Sequence, residues 1–447
     1  MQGEEDTMQE DKIVAGLDIG TTKVCVIVGK LNRYGKLEVL GMGRAVSEGV
    51  REGTISNINK TVYAITQAIE EAENTSGIDI KVVNVGVAGK HIKSAIHHGG
   101  ITRDSREAEI SLDDVQRLSG DMYQIVTEPG TQIIHVMPQH YSVDYERGIK
   151  DPVGMLGVKL EADFHIITAQ QNAIRNIQKC VERAGLSIES VILEPLASSL
   201  SVLSEEEKEA GVCIVDIGGG TTDLAIFQDG IIRHTAVIPF GGDSITSDIK
   251  QGCSVLQNQA EQLKVKFGQC MPDQVGKHEL ISIPGLRNRT PKEVSVQNLA
   301  LITEARMEEI IELVHAEVVR SGYQERLAAG FVVTGGGALL RNLKDLFELK
   351  TGLDTRVGHP NEHLGQTKDS SVKNPMYSTG IGLVLAGFRN LDDREVYRQE
   401  FDSSYQAGVG RDTTGKGTSS PKGNLLSTIL KRTRDLLIDD FDDKTDY

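Results

Sequence analysis

The chain has 447 residues, too many for one core at ~100–200 residues per domain, so about two to four domains are expected. A formal net charge of −16 argues against a protein that holds nucleic acid by bulk electrostatics. The five cysteines (Cys25, Cys180, Cys213, Cys253 and Cys270) form no C-x-x-C pair, which fits a reducing compartment and argues against a disulfide frame or a structural zinc site.

In chain order, the acidic opening MQGEEDTMQEDK has neither the basic nor the apolar region of a secretory signal. No run of about 18 apolar residues follows anywhere, so no bilayer-spanning helix is expected and the cytoplasm is the expected location. KIVAGLDIG and KVCVIVGKL read as two strands around a Gly-Thr turn. A helix follows over INKTVYAITQAIEEAEN, with Val62, Ile65, Ile69 and Ala72 near helical spacing and Asn57 as its cap. KVVNVGVAG is the next strand. After Gly89 the texture turns polar, with strand character, a helix starting in a capping-box arrangement of Ser111 and Asp114, and the alternating strand TQIIHVMPQHYSVDY. This region, to about Phe164, reads as an inserted subdomain. Within it His97 and His98 suggest a loop rather than a metal site, and Pro360 breaks the other histidine pair, His359 and His363.

HIITA resumes core-like character, and NAIRNIQKCVERAG is a helix stopped at Gly185. ESVILEP is a buried strand and LASSLSVLSEEEKEAG a further helix. GVCIVDIGGGTTDLAIF is again strand, turn, strand. A more polar, mixed stretch from about Lys250 to Glu325 reads as a second insertion. AGFVVTGGGALL is a strand, a glycine turn and a helix start, and PMYSTGIGLVLAGF a small-residue helix. From about Asp402 the composition is that of a flexible linker, ending in NLLSTILKRTRDLLIDDF.

LDIGTTK (Leu17 to Lys23) and VDIGGGTTD (Val215 to Asp223) form an internal repeat. Glycines let backbone N–H groups approach an anion and threonine hydroxyls add donors, which makes a phosphate cradle. Asp18 and Asp216 would repel a polyphosphate unless a divalent cation sits between; Mg²⁺ is commonly held by one or two carboxylates, its own waters and phosphate oxygens. Lys23 supplies a point charge for phosphate. Two copies imply two similar lobes with one nucleotide between them. VVTGGGALL (Val332 to Leu340) then fits the sugar, base and α-phosphate.

This ordered set resembles the actin, sugar-kinase and 70-kDa heat-shock ATPase superfamily, with LEPLASS (Leu193 to Ser199) and STGIGLVLAG (Ser378 to Gly387) at its two inter-domain helices. GKHIKS, IKDPVGM, LEADFHII, PFGGDSIT, AEQLKVKFG and NPMYSTGIGL together resemble the FtsA family of bacterial division proteins. The resemblance implies an α/β, actin-like ATPase fold: two duplicated lobes around a nucleotide cleft, inserted subdomains and a C-terminal amphipathic helix. Residues 12–84, 167–205 and 366–392 would form subdomain 1A, 85–166 the inserted subdomain 1C, 206–250 and 326–365 subdomain 2A, and 251–325 subdomain 2B. Residues 1–11 would be disordered, 393–423 a flexible linker, 424–441 the amphipathic helix and 442–447 an acidic tail.

By the same resemblance ATP and Mg²⁺ are the ligands. Asp18 and Asp216 would position hydrated Mg²⁺. Gly20, Thr21, Thr22 and Lys23, with Gly218, Gly219, Gly220, Thr221 and Thr222, would touch the β- and γ-phosphates. Glu261 and Lys264 would contact ribose and adenine, and Gly335, Gly336 and Gly337 would line the nucleoside. Glu194 either orients an attacking water or is a structural carboxylate at a helix start. The implied partners are further copies of the chain in a filament, the cytoplasmic face of the cell membrane at the septum, and the C-terminal tail of the tubulin-like protein FtsZ. Arg287 and Arg289 are either contacts for that acidic tail or solvated surface charges.

On a helical wheel Leu425, Ile429 and Leu436 cluster, flanked by Leu426, Leu430, Leu437 and Phe441. A membrane surface or a partner groove would receive this face, the plainer alternative being its own domain. Lys431, Arg432 and Arg434 are balanced by Asp435, Asp439 and Asp440, so hydrophobic insertion must dominate over attraction to anionic lipid. Two other functions fit the superfamily: a small-molecule kinase, which needs a catalytic base near the γ-phosphate, and a chaperone ATPase, which needs a large substrate domain after the lobes.

Overall fold

The computed structural model describes residues 12–104, 107–276, 278–284, 290–365, 367 and 369–392. Two five-stranded sheets share one topology. In the first, the hairpin Ile13–Ile19 and Lys23–Leu31 is extended on one side by antiparallel Leu37–Val46, and on the other by parallel Val82–Val87 and Ser187–Leu193. In the second, the hairpin Val212–Ile217 and Thr222–Gln228 is extended by antiparallel Ile231–Ile238, and by parallel Phe331–Thr334 and Thr355–Val357. The duplication expected from the two acidic turns therefore extends to whole sheets. The central strands read as near-continuous apolar runs because helices cover both faces.

On the first sheet, helices Ile58–Ser76 and Gln171–Arg183 bury Ile65, Ala68, Ala72, Ile174, Ile177 and Val181 against Leu17, Val26, Val83 and Val85. Asn57 caps the first helix by accepting from the Lys60 amide, and Gly77 ends it at φ 75°. The other face receives a helix over 378–392, through Ile381, Val384 and Phe388. The LASSLSVLSEEEKEAG segment is two helices, Glu194–Val202 and Glu205–Ala210, because Ser204 breaks the run and opens the second with a capping box to Glu207. On the second sheet, helices Gly242–Gly252, Gln257–Phe267, Val296–Ser321 and Leu343–Thr351 pack over Val215, Ile217, Leu224 and Ile226.

The polar region after Gly89 folds as a separate four-stranded sheet in the order Ile92–Thr102, Lys159–Gln170, Thr131–Val143, Glu146–Ile149, backed by helix Leu112–Met122. Ser111 and Asp114 form the expected capping box. HIITA is not a lobe strand: it completes the central strand of this inserted sheet, paired on both sides to Ala169. His97 and His98 are not in a loop either. They lie mid-strand, where Asp163 at 2.9 Å and Glu161 at 3.2 Å hold His98 and raise its pKa.

The inserted sheet docks on both lobes. The Leu193 amide donates to His135 Nε2 at 3.0 Å, and Gln139 donates to the Ile232 carbonyl at 2.7 Å.

Candidate nucleotide-binding site

Each acidic strand ends in the same tight turn. The Gly20 amide donates to the Lys23 carbonyl at 3.0 Å, and the Gly218 amide donates to the Thr221 carbonyl at 2.9 Å. Helix Gly242–Gly252 has no side-chain cap; its first amides, on Gly242 and Asp243, donate instead to the carbonyls of Gly218 and Gly219 at 2.9 and 2.8 Å. This satisfies helix amides that would otherwise be orphaned. Because C=O and N–H point in opposite directions across a trans peptide, it also turns the amides of Gly219 and Gly220 away from the helix and toward the cleft they line.

The two turns meet across the lobe boundary. A Cβ on Gly219 would stand 2.4 Å from Thr22 Cγ2, and one on Gly220 2.5 Å from Thr21 Oγ1. Between them lies a cavity of about 90 Å³, lined by Gly20, Thr21, Thr22, Lys23, Thr221 and four carboxylates: Asp18, Glu194, Asp216 and Asp223.

One ammonium faces these four acids. Lys23 Nζ lies 3.4 Å from Asp18 Oδ2 and 5.8 Å from the Tyr377 ring centre. Burial disfavours its charge, but Asp18 and Asp216 outweigh that and hold its pKa above the usual lysine range. Asp216 Oδ2 accepts Ser198 Oγ at 2.6 Å and Thr379 Oγ1 at 3.1 Å. Burial still raises its pKa, those two bonds working against the rise and Asp18 adding to it. Glu194 is pushed well above the carboxylate range by burial, then by Asp18, Asp223 and Asp216. Asp223 is pushed up to about 7 by burial, with Asp216 adding to the rise against the Thr221 hydroxyl bond. Its Oδ2 accepts Thr221 Oγ1 at 2.7 Å, while its buried Oδ1 has no hydrogen-bond partner among the described residues.

Acids crowded this way favour a bound cation. Among the described residues no three His, Cys, Asp or Glu side chains converge as a direct metal cage. The donor set therefore fits a cation that keeps its waters and shares phosphate oxygens, the usual habit of Mg²⁺.

The carboxylates also set a pH dependence. Below about pH 4 Asp223 is protonated whether folded or not; between about 4 and about 7 only the folded chain keeps the proton. Stability contributed by this group is thus lost as pH rises through that window. Without magnesium and nucleotide, the protein is expected to melt several degrees lower at about pH 7.5 than at about pH 5.5, and Asp223→Asn to flatten that slope. Differential scanning fluorimetry of both chains checks this; an unchanged slope in the variant rejects it.

The glycine run after Phe331–Thr334 splits into two roles. Gly335 (φ 83°) and Gly336 line the cavity, and a Cβ on Gly335 would lie 2.3 Å from Asp216 Oδ1. Gly337 is buried beneath Ile217 and supports the hairpin. The run does not open onto an α-helix: Gly336–Leu339 is a 3-10 turn, and the α-helix starts at Leu343. Thr222 points out of the cavity, donating to the Phe240 carbonyl at 2.8 Å. Glu261 and Lys264 pair at 2.8 Å beside the second turn, where Lys264 donates to the Gly242 carbonyl at 3.0 Å and Thr246 donates to Glu261. Arg287, Arg289 and the segment carrying Leu425, Leu426, Ile429, Leu430, Leu436, Leu437 and Phe441 lie outside the described residues.

Sequence reasoning left Asp223, Ser198 and Thr379 without roles. Asp223 had a local signal, as the second acid of DIGGGTTD. The hydroxyls had none, because their acceptor is distant in sequence.

The family profile described as "Cell division protein FtsA" matches residues 213–382, and "SHS2 domain inserted in FTSA" matches residues 89–168. The chain is 43% identical over 388 residues to cell division protein FtsA of Pseudomonas aeruginosa, covering 87% of this chain and 92% of that one. It is 37% identical over 383 residues to the FtsA of Escherichia coli (strain K12), covering 84% and 90%. Among solved structures, the PilM-PilN type IV pilus biogenesis complex superposes with a TM-score of 0.63 at 14% identity, over 84% of this chain and 98% of its own, a likeness of fold alone. With duplicated sheets, facing acidic hairpins and a subdomain inserted after Gly89, the chain has the actin-like fold and belongs to the FtsA family of cell division proteins.

Proposed function

We propose that the chain binds ATP with Mg²⁺ between its lobes, assembles into filaments on the inner face of the cytoplasmic membrane at the septum, and tethers FtsZ there. The observation that carries this reading is the pair of matched turns facing each other across one acid-lined cavity. The amides of Gly219 and Gly220 and the hydroxyls of Thr21 and Thr22 are the donors for phosphate, with Lys23 as the point charge, while the Thr221 hydroxyl is committed to Asp223. Asp18 and Asp216 would hold the hydrated cation, and Gly335 and Gly336 would admit the nucleoside end. Bound magnesium would supply the positive charge that lets carboxylates and phosphates share the cavity.

Glu194 faces the same cavity, and burial with the neighbouring Asp18, Asp223 and Asp216 raises its pKa well above the usual carboxylate range. Because each turn belongs to a different lobe, a ligand held by both fixes the angle between them.

Membrane attachment is assigned to residues 424–441 and contact with the FtsZ tail to Arg287 and Arg289. Burying a Leu or Ile stabilises by roughly 1.5–3 kcal/mol, whereas ordering the backbone costs ~1–2 kcal/mol per residue, so one helix binds reversibly and a filament binds by avidity. The test is co-sedimentation with phosphatidylethanolamine–phosphatidylglycerol vesicles in ATP and Mg²⁺. The full chain is expected to pellet and a chain lacking 424–447 to stay in the supernatant; undiminished pelleting of the shortened chain rejects the anchor.

A further inference from the structure

The boundary between the lobes passes through one carboxylate oxygen. Asp216 belongs to the second-lobe strand Val212–Ile217, and its Oδ2 accepts two hydroxyls: Ser198 Oγ at 2.6 Å and Thr379 Oγ1 at 3.1 Å. Ser198 sits on helix Glu194–Val202 and Thr379 on the 378–392 helix, the two segments that cross between the lobes. The hydroxyls are themselves 3.1 Å apart, although 181 residues separate them in sequence. The polar seam continues: Ser201 donates to the Ser378 carbonyl at 2.8 Å, and Ser378 Oγ lies 2.7 Å from Thr334 Oγ1, on the strand that leads into Gly335.

This seam is not what helix packing alone requires. Around it the helices meet through Ala197, Leu383 and Ala386, and an apolar crossing there would avoid the cost of burying five hydroxyls. The hydroxyls are all bonded, and two converge on an acid that lines the candidate cation site. Asp216 therefore divides its oxygens: Oδ2 is committed to the connecting helices, and Oδ1 lies against Gly335, which also lines the cleft.

We propose that Ser198 and Thr379 are positioning residues that couple occupancy of the cleft by a magnesium–nucleoside triphosphate to the crossing of the connecting helices, with Asp216 as their shared joint. The inference rests on the nucleotide reading given above. When Asp216 shifts toward a hydrated cation, both hydroxyl bonds change together because one oxygen accepts both. Each helix registers the same event, and the lobe angle follows. A ligand moves such an equilibrium only by its differential contact with the two arrangements, and the hydroxyl pair supplies that difference.

Hydrogen–deuterium exchange of the full chain, with and without Mg²⁺ and a non-hydrolysable ATP analogue, tests this, alongside equilibrium titration of a fluorescent ATP. In the unaltered chain the nucleotide is expected to slow exchange across 194–202 and 378–391 by about threefold or more. In Thr379→Val that response should fall to less than about half while nucleotide affinity drops by less than about tenfold, and Thr379→Ser, which keeps the hydroxyl, should restore it. Should the valine variant fail to fold, Ser198→Ala removes the other hydroxyl with less change in shape and is held to the same result. A full exchange response in the folded hydroxyl-deletion variant, or none in Thr379→Ser, overturns the coupling while leaving nucleotide binding intact. Absence of binding in the unaltered chain overturns the nucleotide reading and the coupling together.

Discussion

Replacing Asp216 with asparagine is expected to remove the magnesium-dependent part of ATP affinity, a loss on the order of 100-fold or about 2.7 kcal/mol, without lowering the weaker affinity expected in chelator. The two conditions carry opposite electrostatic signs. In chelator, four carboxylates and one lysine face an incoming polyphosphate, so neutralising one acid relieves repulsion and affinity holds or rises. With Mg²⁺ the same acid is an anchor, and its loss removes a charged partner for the cation's water shell. Asparagine nearly preserves the shape and keeps an acceptor for Ser198 Oγ and Thr379 Oγ1, which separates loss of charge from loss of the hydroxyl joint. Asp18→Asn is expected to behave similarly but less cleanly, because Asp18 also holds Lys23. Fluorescent-ATP titration in Mg²⁺ and in EDTA decides the matter. An Asp216→Asn protein that retains magnesium-dependent affinity would remove the acid from the site.

What could be read from the sequence was mostly local. The turns at 18–23 and 216–223 were legible because an acid, glycines and hydroxyls occur together between apolar runs, and their recurrence predicted two lobes. The helix caps at Asn57 and Ser111 were legible for the same reason. Helix Val296–Ser321 was available but lost in a stretch judged by its polarity. Val296, Ala300, Thr303, Met307, Ile310 and Val314 alternate spacings of four and three residues, the signature of a helix burying one seam. HIITA was misplaced because a buried strand of an inserted sheet has the same apolar composition as a lobe strand. Asp223 aside, the parts of the site that escaped were non-local. Ser198 and Thr379 acquire their role only when two distant helices converge on Asp216, and no spacing rule links such positions. Likewise, nothing in GGG distinguishes the two glycines that line a cavity from the third, which must lie flat on Ile217.

The second large effect is expected from Gly382→Ala, with a net destabilisation of about 3 kcal/mol. Two opposing terms decide its sign. Alanine in a helix interior is favoured over glycine by about 1 kcal/mol, and Gly382 lies within the 378–392 helix. Against this, a Cβ at 382 would stand 1.8 Å from the Ala197 carbonyl oxygen and 2.2 Å from its carbonyl carbon. Those are backbone atoms, so no rotamer change relieves the overlap and the two helices must separate. Separation also strains the neighbouring bonds, because Ser198 and Thr379 reach Asp216 from these same two helices. The overlap therefore outweighs the propensity gain, and the damage should extend to the cleft. Gly380→Ala is the informative comparison, since its Cβ would meet only the end of the Ile27 side chain at 2.9 Å, which can rotate away. Denaturant unfolding with matched ATP titrations is expected to show Gly382→Ala losing both stability and magnesium-dependent affinity while Gly380→Ala loses little of either. Equal tolerance of the two substitutions would mean that the helices are not held in contact at Ala197.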